Sequence, residues 1–287
     1  MKTVNLEQTK ALIPLELMKR IEAIEFYNRN QTSGPMEKIA AFDLDNTLLE
    51  GDIGEAVFSQ LKIDEKKQPV TVTKTMMPFT WAQCRELLKK NKKKEAYTKM
   101  ITAMAGIPVE TVIQATHRIM NSNDPFLEVE GVRVLVPKPR PVMQALVQYL
   151  KSLDYTVYII SATNSYSVRY MAEEYFGVSS THAIGMQARV THEEELGEIL
   201  SDTIDGPITV GEGKVEAYHH FIGPMPPLVT AGDSDSDIQI LRLTLPWGLC
   251  IWAGENEKKY EAIKNKLHHP HTAYFLKKYD NSEVAFS

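Results

Sequence analysis

The sequence predicts an α/β fold, a doubly wound parallel sheet with an inserted helical cap domain. Short apolar runs of the kind found in strands buried on both faces lie at residues 38–44, 156–161, 227–232 and 248–252. Helical patterns alternate with these runs, as expected of a parallel sheet. The third observation is the stretch from Asp52 to about Val134, which is too long for a structureless loop and must fold by itself.

The first half of the chain begins with an amphipathic helix from Pro14 to about Asn28, where apolar residues recur at helical spacing. The first core strand follows. Residues 81–105 and 109–120 have helical periodicity, so we expect the insertion to form a helical cap over a cleft. The resulting domain boundaries are 1–51 and 135–287 for the core with its N-terminal helix, and 52–134 for the cap.

In the second half, a helix that begins near Pro139 or Pro141 precedes the second core strand. The next helix ends at Gly177. Residues 181–190 and 199–210 predict a short β-ribbon. The two remaining core strands then alternate with helices, and the last predicted helix covers residues 255–267.

Composition limits the possible function classes. The 287 residues are 43% hydrophobic and 24% charged, which is typical of a globular protein. A formal charge of −5 argues against nucleic-acid binding. Two distant cysteines, Cys84 and Cys250, fit a reducing compartment. Because no signal peptide or membrane-spanning stretch is recognisable, we expect a cytoplasmic protein without membrane contact, and its oligomeric state stays open.

Acid-rich turns follow two of the predicted strands. Asp43, Asp45 and Thr47 lie at the end of the first, and Asp233 and Asp237 follow the third. Ligands bind at strand ends in α/β sheets. Residues two apart share one side of a strand, so Asp43 and Asp45 can address one point. Such turns also serve as helix caps, but two of them together favour a functional site.

The clustered carboxylates require positive charge nearby. Each pair of unit charges about 4 Å apart would repel by about 4 kcal/mol at an effective dielectric of about 20. Mg²⁺ held by Asp43 and Asp233 would supply most of the compensation, and Lys214 the rest. Considered alone, Lys214 would more often be a solvated helix residue, and only its context favours the site. A calcium loop is excluded because Leu48 and Ile238 occupy the positions where glycine is required.

A third candidate segment, SATNS, leaves the second core strand and opens a helix. The hydroxyl of Ser161 and backbone N–H groups nearby, including that of Ala162, can hold phosphate oxygens at such a helix start. In isolation the segment also serves as an ordinary helix cap. A phosphorylated small molecule is therefore a candidate ligand.

Four segments in order, FDLDNT, ISATN, the lysine of GEGKVEA, and GDSDSD, resemble the four motifs of the haloacid dehalogenase superfamily. The insertion directly after the first motif is similar to the branch that contains phosphoserine, phosphocholine and phosphoethanolamine phosphatases. The resemblance covers residues 38 to about 252. One departure is Ser236, which stands where many phosphoserine phosphatases have asparagine, and it weakens any transfer of the exact substrate.

The resemblance implies a Mg²⁺-dependent phosphatase in which Asp43 attacks phosphorus. Asp45 first protonates the leaving alcohol and then activates the water that hydrolyses the aspartyl-phosphate. It also implies that Mg²⁺ is bound by Asp43, the backbone carbonyl of Asp45, and Asp233, with Asp237 in support. The phosphoryl group would be held by Thr47, Ser161, Ala162 and Lys214.

The candidate specificity residues lie in the cap. Asp52 and Glu55 can meet a cationic group, and Trp81 can add a cation–π contact. Arg85 can bind a carboxylate. The alternative, purely structural roles are helix capping for Asp52 and Glu55, core packing for Trp81, and an exposed helix position for Arg85. An amino- or ammonium-bearing phosphomonoester fits this set, and phosphoserine, phosphocholine and phosphoethanolamine all remain candidates.

Two other functions use the same motifs. A phosphotransferase would pass the phosphoryl group from Asp43 to an acceptor other than water. A non-catalytic protein that binds a phosphorylated ligand is the second alternative. Loss of Asp43 or Asp45 would favour it, and both are present.

Overall fold

The computed structural model describes residues 6–67, 77–254 and 256–277. The helices of these ranges are α1 (Leu6–Ala11), α2 (Leu15–Arg29), α3 (Ile53–Lys67), α4 (Trp81–Lys89), α5 (Lys93–Thr102), α6 (Val109–Met120), α7 (Pro141–Ser152), α8 (Ser165–Phe176), α9 (Glu212–Phe221), α10 (Ile238–Leu241) and α11 (Glu257–Lys264). None of these helices is long and apolar enough to span a bilayer.

The strands are β1 (Ile39–Phe42), β2 (Leu49–Glu50), β3 (Phe126–Val129), β4 (Val132–Leu135), β5 (Lys138–Pro139), β6 (Thr156–Asn164), β7 (Ala183–Glu193), β8 (Gly197–Asp205), β9 (Val229–Gly232), β10 (Leu249–Trp252) and β11 (Ala273–Phe275). Seven of them form one sheet in the order β11-β10-β9-β1-β6-β7-β8. All neighbours in this sheet are parallel except β7 and β8. The predicted α/β class is confirmed.

Strand β1 lies at the centre of the sheet and places the start of the candidate site. It pairs in parallel with β6 on one side and β9 on the other, with Phe42 opposite both Ile159 and Ala231. The chain therefore leaves β1, β6 and β9 at the same edge. The turns that follow the first, second and third predicted strands therefore all lie at this edge.

Both faces of the sheet are covered, which explains why β1 is continuously apolar. Ala40 and Phe42 belong to the large core cluster on one face. Ile39 and Ala41 pack on the other face in a cluster with Ala217 of α9. Alternate residues of a strand point to opposite faces, so a strand buried on both sides shows no polar alternation.

The predicted short ribbon is longer than expected and belongs to the main sheet. Strand β7 pairs in parallel with β6 through Ala183, Ile184 and Met186. Its later residues pair only with β8, in an antiparallel ribbon that reaches Glu193 and Gly197. The first part of β7 is buried and the later part is largely exposed, so one strand serves both the sheet and the ribbon.

The inserted region contains a β-hairpin that the helical prediction missed. Strands β3 and β4 pair through a tight turn at Glu130 and Gly131, both with positive φ. The predicted single helical run over residues 81–105 is two helices, α4 and α5, separated at Asn91, whose φ is 57°. Helix α6 covers residues 109–120 as predicted.

The inserted region is fastened to the ribbon by backbone hydrogen bonds. The Gly106 amide donates to the Leu200 carbonyl at 2.8 Å, and the Leu200 amide donates to the Ile107 carbonyl at 3.0 Å. Pro108 and Ile199 form an isolated antiparallel bridge. The assignment of residues 52–134 to a separate cap domain stays a prediction.

Candidate active site

Asp43 directly follows β1, and its backbone amide donates to the carbonyl of Ala231 at 3.0 Å. One carboxylate oxygen accepts a hydrogen bond from Lys214 at 2.5 Å, and the other accepts one from the Thr47 hydroxyl at 2.9 Å. Burial raises the pKa of Asp43 to about 7; Lys214 opposes this rise, and nearby carboxylates add to it. The carboxylate is thus held in place by two groups that favour its ionised form.

Lys214 connects two acids at the centre of the site. It is 2% exposed, and its ammonium donates to Asp43 at 2.5 Å and to Asp237 at 2.6 Å. Burial acts to lower the pKa of Lys214, but attraction to the two carboxylates outweighs it and raises the pKa. The preceding Gly213 has a packing role, since a Cβ there would lie 1.7 Å from the carbonyl oxygen of Ile208.

Asp237 organises the turn after β9. One of its oxygens accepts hydrogen bonds from the backbone amides of Asp233 and Ser234 at 3.1 and 2.9 Å. Burial acts to raise the pKa of Asp237, but the charge of Lys214 and hydrogen bonds from Lys214 and Ser234 outweigh burial and lower the pKa. A Cβ at Gly232 would lie 2.5 Å from the Cβ of Asp237, so glycine is needed for this close approach.

The carboxylates of Asp43, Asp233 and Asp237 form an oxygen cluster suited to a divalent cation. One oxygen of each lies within 4.8 Å of the others. Burial, followed by repulsion from Asp237 and Asp43, raises the pKa of Asp233 to about 8. Carboxylate oxygens are the ligands that Mg²⁺ prefers. Lys214 donates to Asp43 as well as to Asp237, so its contacts do not separate these two acids. The predicted ligands Asp43 and Asp233 both belong to the oxygen cluster, and the residues fit the predicted metal.

Asp45 has different surroundings. One oxygen accepts hydrogen bonds from the hydroxyls of Ser161 at 2.7 Å and Thr163 at 2.9 Å, and the other accepts one from the Ile53 amide at 2.7 Å. Burial and then the charge of Asp52 raise the pKa of Asp45 to about 7, against these hydrogen bonds. The side chain is therefore held at the junction of β1, β6 and the start of α3.

Asp52 and Glu55 lie close to Asp45 at the start of α3. Burial and the charge of Glu55 raise the pKa of Asp52 to about 8. Burial and Asp45 raise that of Glu55 to about 7, while the charge of Lys93 lowers it. The Tyr97 hydroxyl donates to Asp52 at 3.2 Å. The inserted region thus brings acidic groups and a phenol next to the predicted acid–base residue.

A family model described as haloacid dehalogenase-like hydrolase matches residues 40–242, which is more than half of the chain. The chain belongs to this family. The predicted recognition is confirmed, and with it the prediction of an enzyme of the haloacid dehalogenase type. No curated protein matches the chain.

Two of the similar solved structures, both with TM-scores above 0.5, support the family fold. A conserved protein of unknown function from Anaerococcus prevotii is 15% identical, with a TM-score of 0.57 over 90% of this chain and 94% of that chain. A hydrolase of the haloacid dehalogenase family from Salmonella enterica serovar Typhi is 15% identical, with a TM-score of 0.52 over 85% of this chain and 69% of that chain. A phosphoserine phosphatase carrying a phospho-aspartyl intermediate analogue is 17% identical, with a TM-score of 0.49 over 86% and 97%.

Not every predicted site residue of this haloacid dehalogenase-like hydrolase contacts the clustered carboxylates. Trp81 is 3% exposed, and its indole N–H donates to Ser59 at 3.1 Å, while its ring packs on Phe58. Arg85 lies on the exposed face of α4 and makes no hydrogen bond or ion pair with another described residue. Ala162 is half-buried in β6. The roles of these three residues stay predictions.

Two residues that were not predicted from the sequence, Thr163 and Arg140, also support the site. The hydroxyl of Thr163, two residues after Ser161, donates a hydrogen bond to Asp45. Arg140 is 8% exposed, and one guanidinium nitrogen donates to the carbonyls of Thr47 at 3.2 Å and Ala253 at 3.0 Å. Arg140 thereby joins the turn after β1 to the loop after β10. Its position between two prolines gave only a helix start as a local signal.

Proposed function

We propose that this chain is a Mg²⁺-dependent phosphomonoester hydrolase that forms an aspartyl-phosphate on Asp43. The observation that carries the proposal is the pair of carboxylates at the end of β1, which have opposite surroundings. Asp43 contacts the Lys214 ammonium, whereas Asp45 is hydrogen-bonded by neutral donors. Two carboxyl groups placed in different environments can divide nucleophilic and acid–base roles between them.

In the proposed first step, an ionised oxygen of Asp43 attacks phosphorus and forms a new P–O bond. The P–O bond to the substrate alcohol breaks. Asp45, protonated at this stage, gives its proton to the departing oxygen. The pKa of Asp45, raised to about 7, is compatible with a proton on this carboxyl near neutral pH. The pKa of Asp43 is raised equally, but the Lys214 ammonium at 2.5 Å from Asp43 favours the ionised form there.

In the proposed second step, a water molecule attacks phosphorus and gives its proton to the carboxylate of Asp45. The bond between phosphorus and the Asp43 oxygen breaks, and inorganic phosphate leaves. Asp45 has then returned to its protonated form. The hydroxyls of Ser161 and Thr163 hold the same oxygen of Asp45, which supports a fixed orientation for both transfers.

The metal proposal rests on Asp43, Asp233 and the backbone carbonyl of Asp45 as ligands. When bound, Mg²⁺ supplies positive charge that compensates the acids and the transferring phosphoryl group. Asp237 would position Asp233 through its hydrogen bond to that backbone amide. Lys214, Thr47, Ser161 and the Ala162 amide are proposed to hold the phosphoryl oxygens, as the family resemblance implies.

The proposed substrate is a small phosphorylated metabolite that carries an amino or ammonium group. Asp52 and Glu55 support this class because both are largely buried beside Asp45 and have raised pKa values. A cationic group would compensate their charge. Phosphoserine, phosphocholine and phosphoethanolamine all satisfy this description. The proposal includes a cap at residues 52–134 on a core of residues 1–51 and 135–287.

The proposal also includes a cytoplasmic location. Cys84 and Cys250 are both buried free thiols, in keeping with a reducing compartment.

The test is phosphate release from a panel of phosphomonoesters, with and without a chelator. We expect Asp43→Asn to abolish release and Asp235→Asn, in an exposed position of the other acid-rich turn, to leave it nearly unchanged. Activity that persists in Asp43→Asn would overturn the nucleophile assignment. Activity that is insensitive to the chelator would overturn the metal assignment.

Product analysis separates the alternatives. A hydrolase gives inorganic phosphate with water as the acceptor even when alcohols are added. A phosphotransferase gives a new phosphate ester with the added alcohol. A protein that only binds the phosphorylated ligand gives neither product.

A further inference from the structure

A cavity of about 290 Å³ lies beside the candidate site and has no role in the proposed chemistry. It is lined by Asn46 of the turn after β1, by Asp233, and by residues from the end of β10 to the first turn of α11, namely Trp252, Ala253, Gly254, Asn256 and Lys259. It therefore adjoins the proposed metal ligand Asp233.

Trp252 lines this cavity and carries an unused hydrogen-bond donor. The residue is 2% exposed, and its indole N–H is buried with no hydrogen-bond partner among the described residues. Buried polar groups are nearly always paired in native structures, so an unpaired one calls for a partner. At Gly254 a Cβ would lie 2.4 Å from this nitrogen, so glycine keeps the space beside the N–H free of a side chain.

Two further donors face the same space. The ammonium of Lys259 lies over the Trp252 ring at 5.6 Å from its centroid, and it forms no ion pair with a described residue. The side-chain oxygen of Asn256 accepts from the amides of Lys258 and Lys259, so its amide N–H groups are left to donate elsewhere. Asn256 is also the N-cap of α11, where the helix dipole favours an anion.

We propose that this cavity binds an oxyanion, a carboxylate or phosphate group that is either carried by the substrate or present as a free ion. The indole N–H, the Lys259 ammonium and the Asn256 amide supply the donors. Where the oxyanion belongs to the substrate, the inference rests on the proposed function. The substrate would then carry an anionic group besides the phosphoryl group that reacts.

Asp233 is the one acid among the described residues that line the cavity. Its charge opposes an oxyanion unless a cation compensates it. Because Asp233 is a proposed ligand of Mg²⁺, oxyanion affinity is expected to rise when Mg²⁺ is present. This coupling separates an oxyanion site from a simple stack of Lys259 on Trp252, which would leave the indole N–H unpaired and bind no anion.

The first arm measures binding of free succinate by calorimetry, with and without Mg²⁺. We expect Lys259→Gln to weaken binding by about tenfold or more, since a charge-assisted hydrogen bond is lost. Trp252→Phe, which keeps an aromatic ring and removes the N–H donor, should also weaken it. Lys258→Gln is the matched control, because it removes the same charge from the neighbouring helix position and does not line the cavity.

The second arm compares hydrolysis of phosphoglycolate, which carries a carboxylate, with that of ethyl phosphate, which does not. If the substrate carries the oxyanion, Lys259→Gln lowers kcat/KM for phosphoglycolate by about tenfold and leaves ethyl phosphate within about twofold. If the oxyanion is a free ion, the variant changes succinate binding and leaves the ratio of the two esters unchanged.

Equal succinate affinity and an equal ester ratio in wild type and Lys259→Gln would overturn the inference. If the wild type hydrolyses neither of these esters nor any member of the wider panel, the proposed function fails, and the succinate arm alone decides the oxyanion site. Thermal unfolding of each variant checks that a loss of binding is not a loss of folding.

Discussion

At the scale of single residues, Lys214 supplies positive charge that compensates the buried carboxylates of the site. Its ammonium lies between two carboxylates that are themselves buried, Asp43 and Asp237. Removing one partner of a buried charge pair is costly because the remaining charge stays out of water. The residue is therefore important for folding as well as for the proposed chemistry.

Replacing Lys214 by methionine should destabilise the metal-free protein by about 3–5 kcal/mol at pH 8, because two buried carboxylates lose their counter-charge. Urea denaturation in the presence of a chelator measures this. Lys266→Met is the control, since Lys266 pairs with Asp235 at 3.7 Å with both side chains more than half exposed. Loss of such a surface pair costs about 1 kcal/mol or less. Equal losses in both variants would contradict the burial argument.

Asp52 should make the metal-free protein less stable as the pH rises. Its pKa is raised from 3.8 to about 8 in the folded state, mainly by burial. Below pH 4 the carboxyl is protonated in both states. Between about pH 4 and pH 8 the unfolded chain releases the proton while the folded chain retains it, so unfolding becomes more favourable.

Asp52→Asn removes the part of this dependence that comes from Asp52, while the other buried carboxyl groups of the site keep theirs. We expect the variant to be more stable than wild type at pH 8, with a difference that shrinks toward pH 4, as measured by denaturation at several pH values. Asp202→Asn, at an exposed position, should leave the profile unchanged. A stability difference between wild type and Asp52→Asn that stays constant from pH 4 to pH 8 would show that the pKa of Asp52 is not raised.

The sequence identified the acids and Lys214 because each stands in a short local segment with a recognisable chemical composition. The structure brings Asp43, Asp45, Asp233 and Lys214 to one sheet edge, although their roles remain proposals. Arg140 could not be found in this way. Its contacts with Thr47 and Ala253 join segments about a hundred residues apart in sequence, and only the folded chain brings them together.

At the scale of elements, the contact between the start of α3 and the end of β6 is close. A Cβ at Gly54 would lie 2.4 Å from the Thr163 hydroxyl oxygen and 3.2 Å from a carboxylate oxygen of Asp52. The helix can approach the strand only because residue 54 has no side chain. The same Thr163 hydroxyl donates to Asp45, so the packing of two elements sets a hydrogen bond in the site.

Gly54→Ala should therefore displace the Thr163 hydroxyl and destabilise the protein by about 1–3 kcal/mol through overpacking. The lost hydrogen bond should raise the pKa of Asp45, because the bond from Thr163 lowers it. The pH–rate profile would therefore shift to higher pH. Thr163→Val is the control, since it removes the hydrogen bond without adding volume at position 54. A profile that shifts in Thr163→Val and not in Gly54→Ala would contradict the proposed displacement.

Strands and helices were not equally predictable from sequence. The four core strands were found because burial on both faces leaves an uninterrupted apolar run, as at Ile39–Phe42. The β3–β4 hairpin was missed because its residues are largely exposed and so lack a clear pattern. The parallel pairing of β7 with β6 is a tertiary contact that the local ribbon pattern does not report.

At the scale of the whole molecule, the α/β class followed from the order of elements alone, and the family match agrees with it. The packing of the inserted region did not follow. Its buried residues, such as Val112 and Ala115 of α6, belong to the same hydrophobic cluster as Phe42 of β1. Hydrophobic periodicity shows that a helix has a buried face but not which element covers it.

The tie between Gly106, Ile107 and Leu200 has a consequence for the timing of catalysis. If substrate enters only when the inserted region moves away from the ribbon, each turnover must break these two backbone hydrogen bonds. Hydrogen exchange at the two amides would then measure the rate of this opening. We expect the Gly106 and Leu200 amides to exchange with deuterium sooner than the amides of β1, and more slowly when a phosphate analogue is bound. Their opening rate would also set an upper limit on kcat. A turnover rate faster than this opening rate would show that substrate enters without movement of the inserted region.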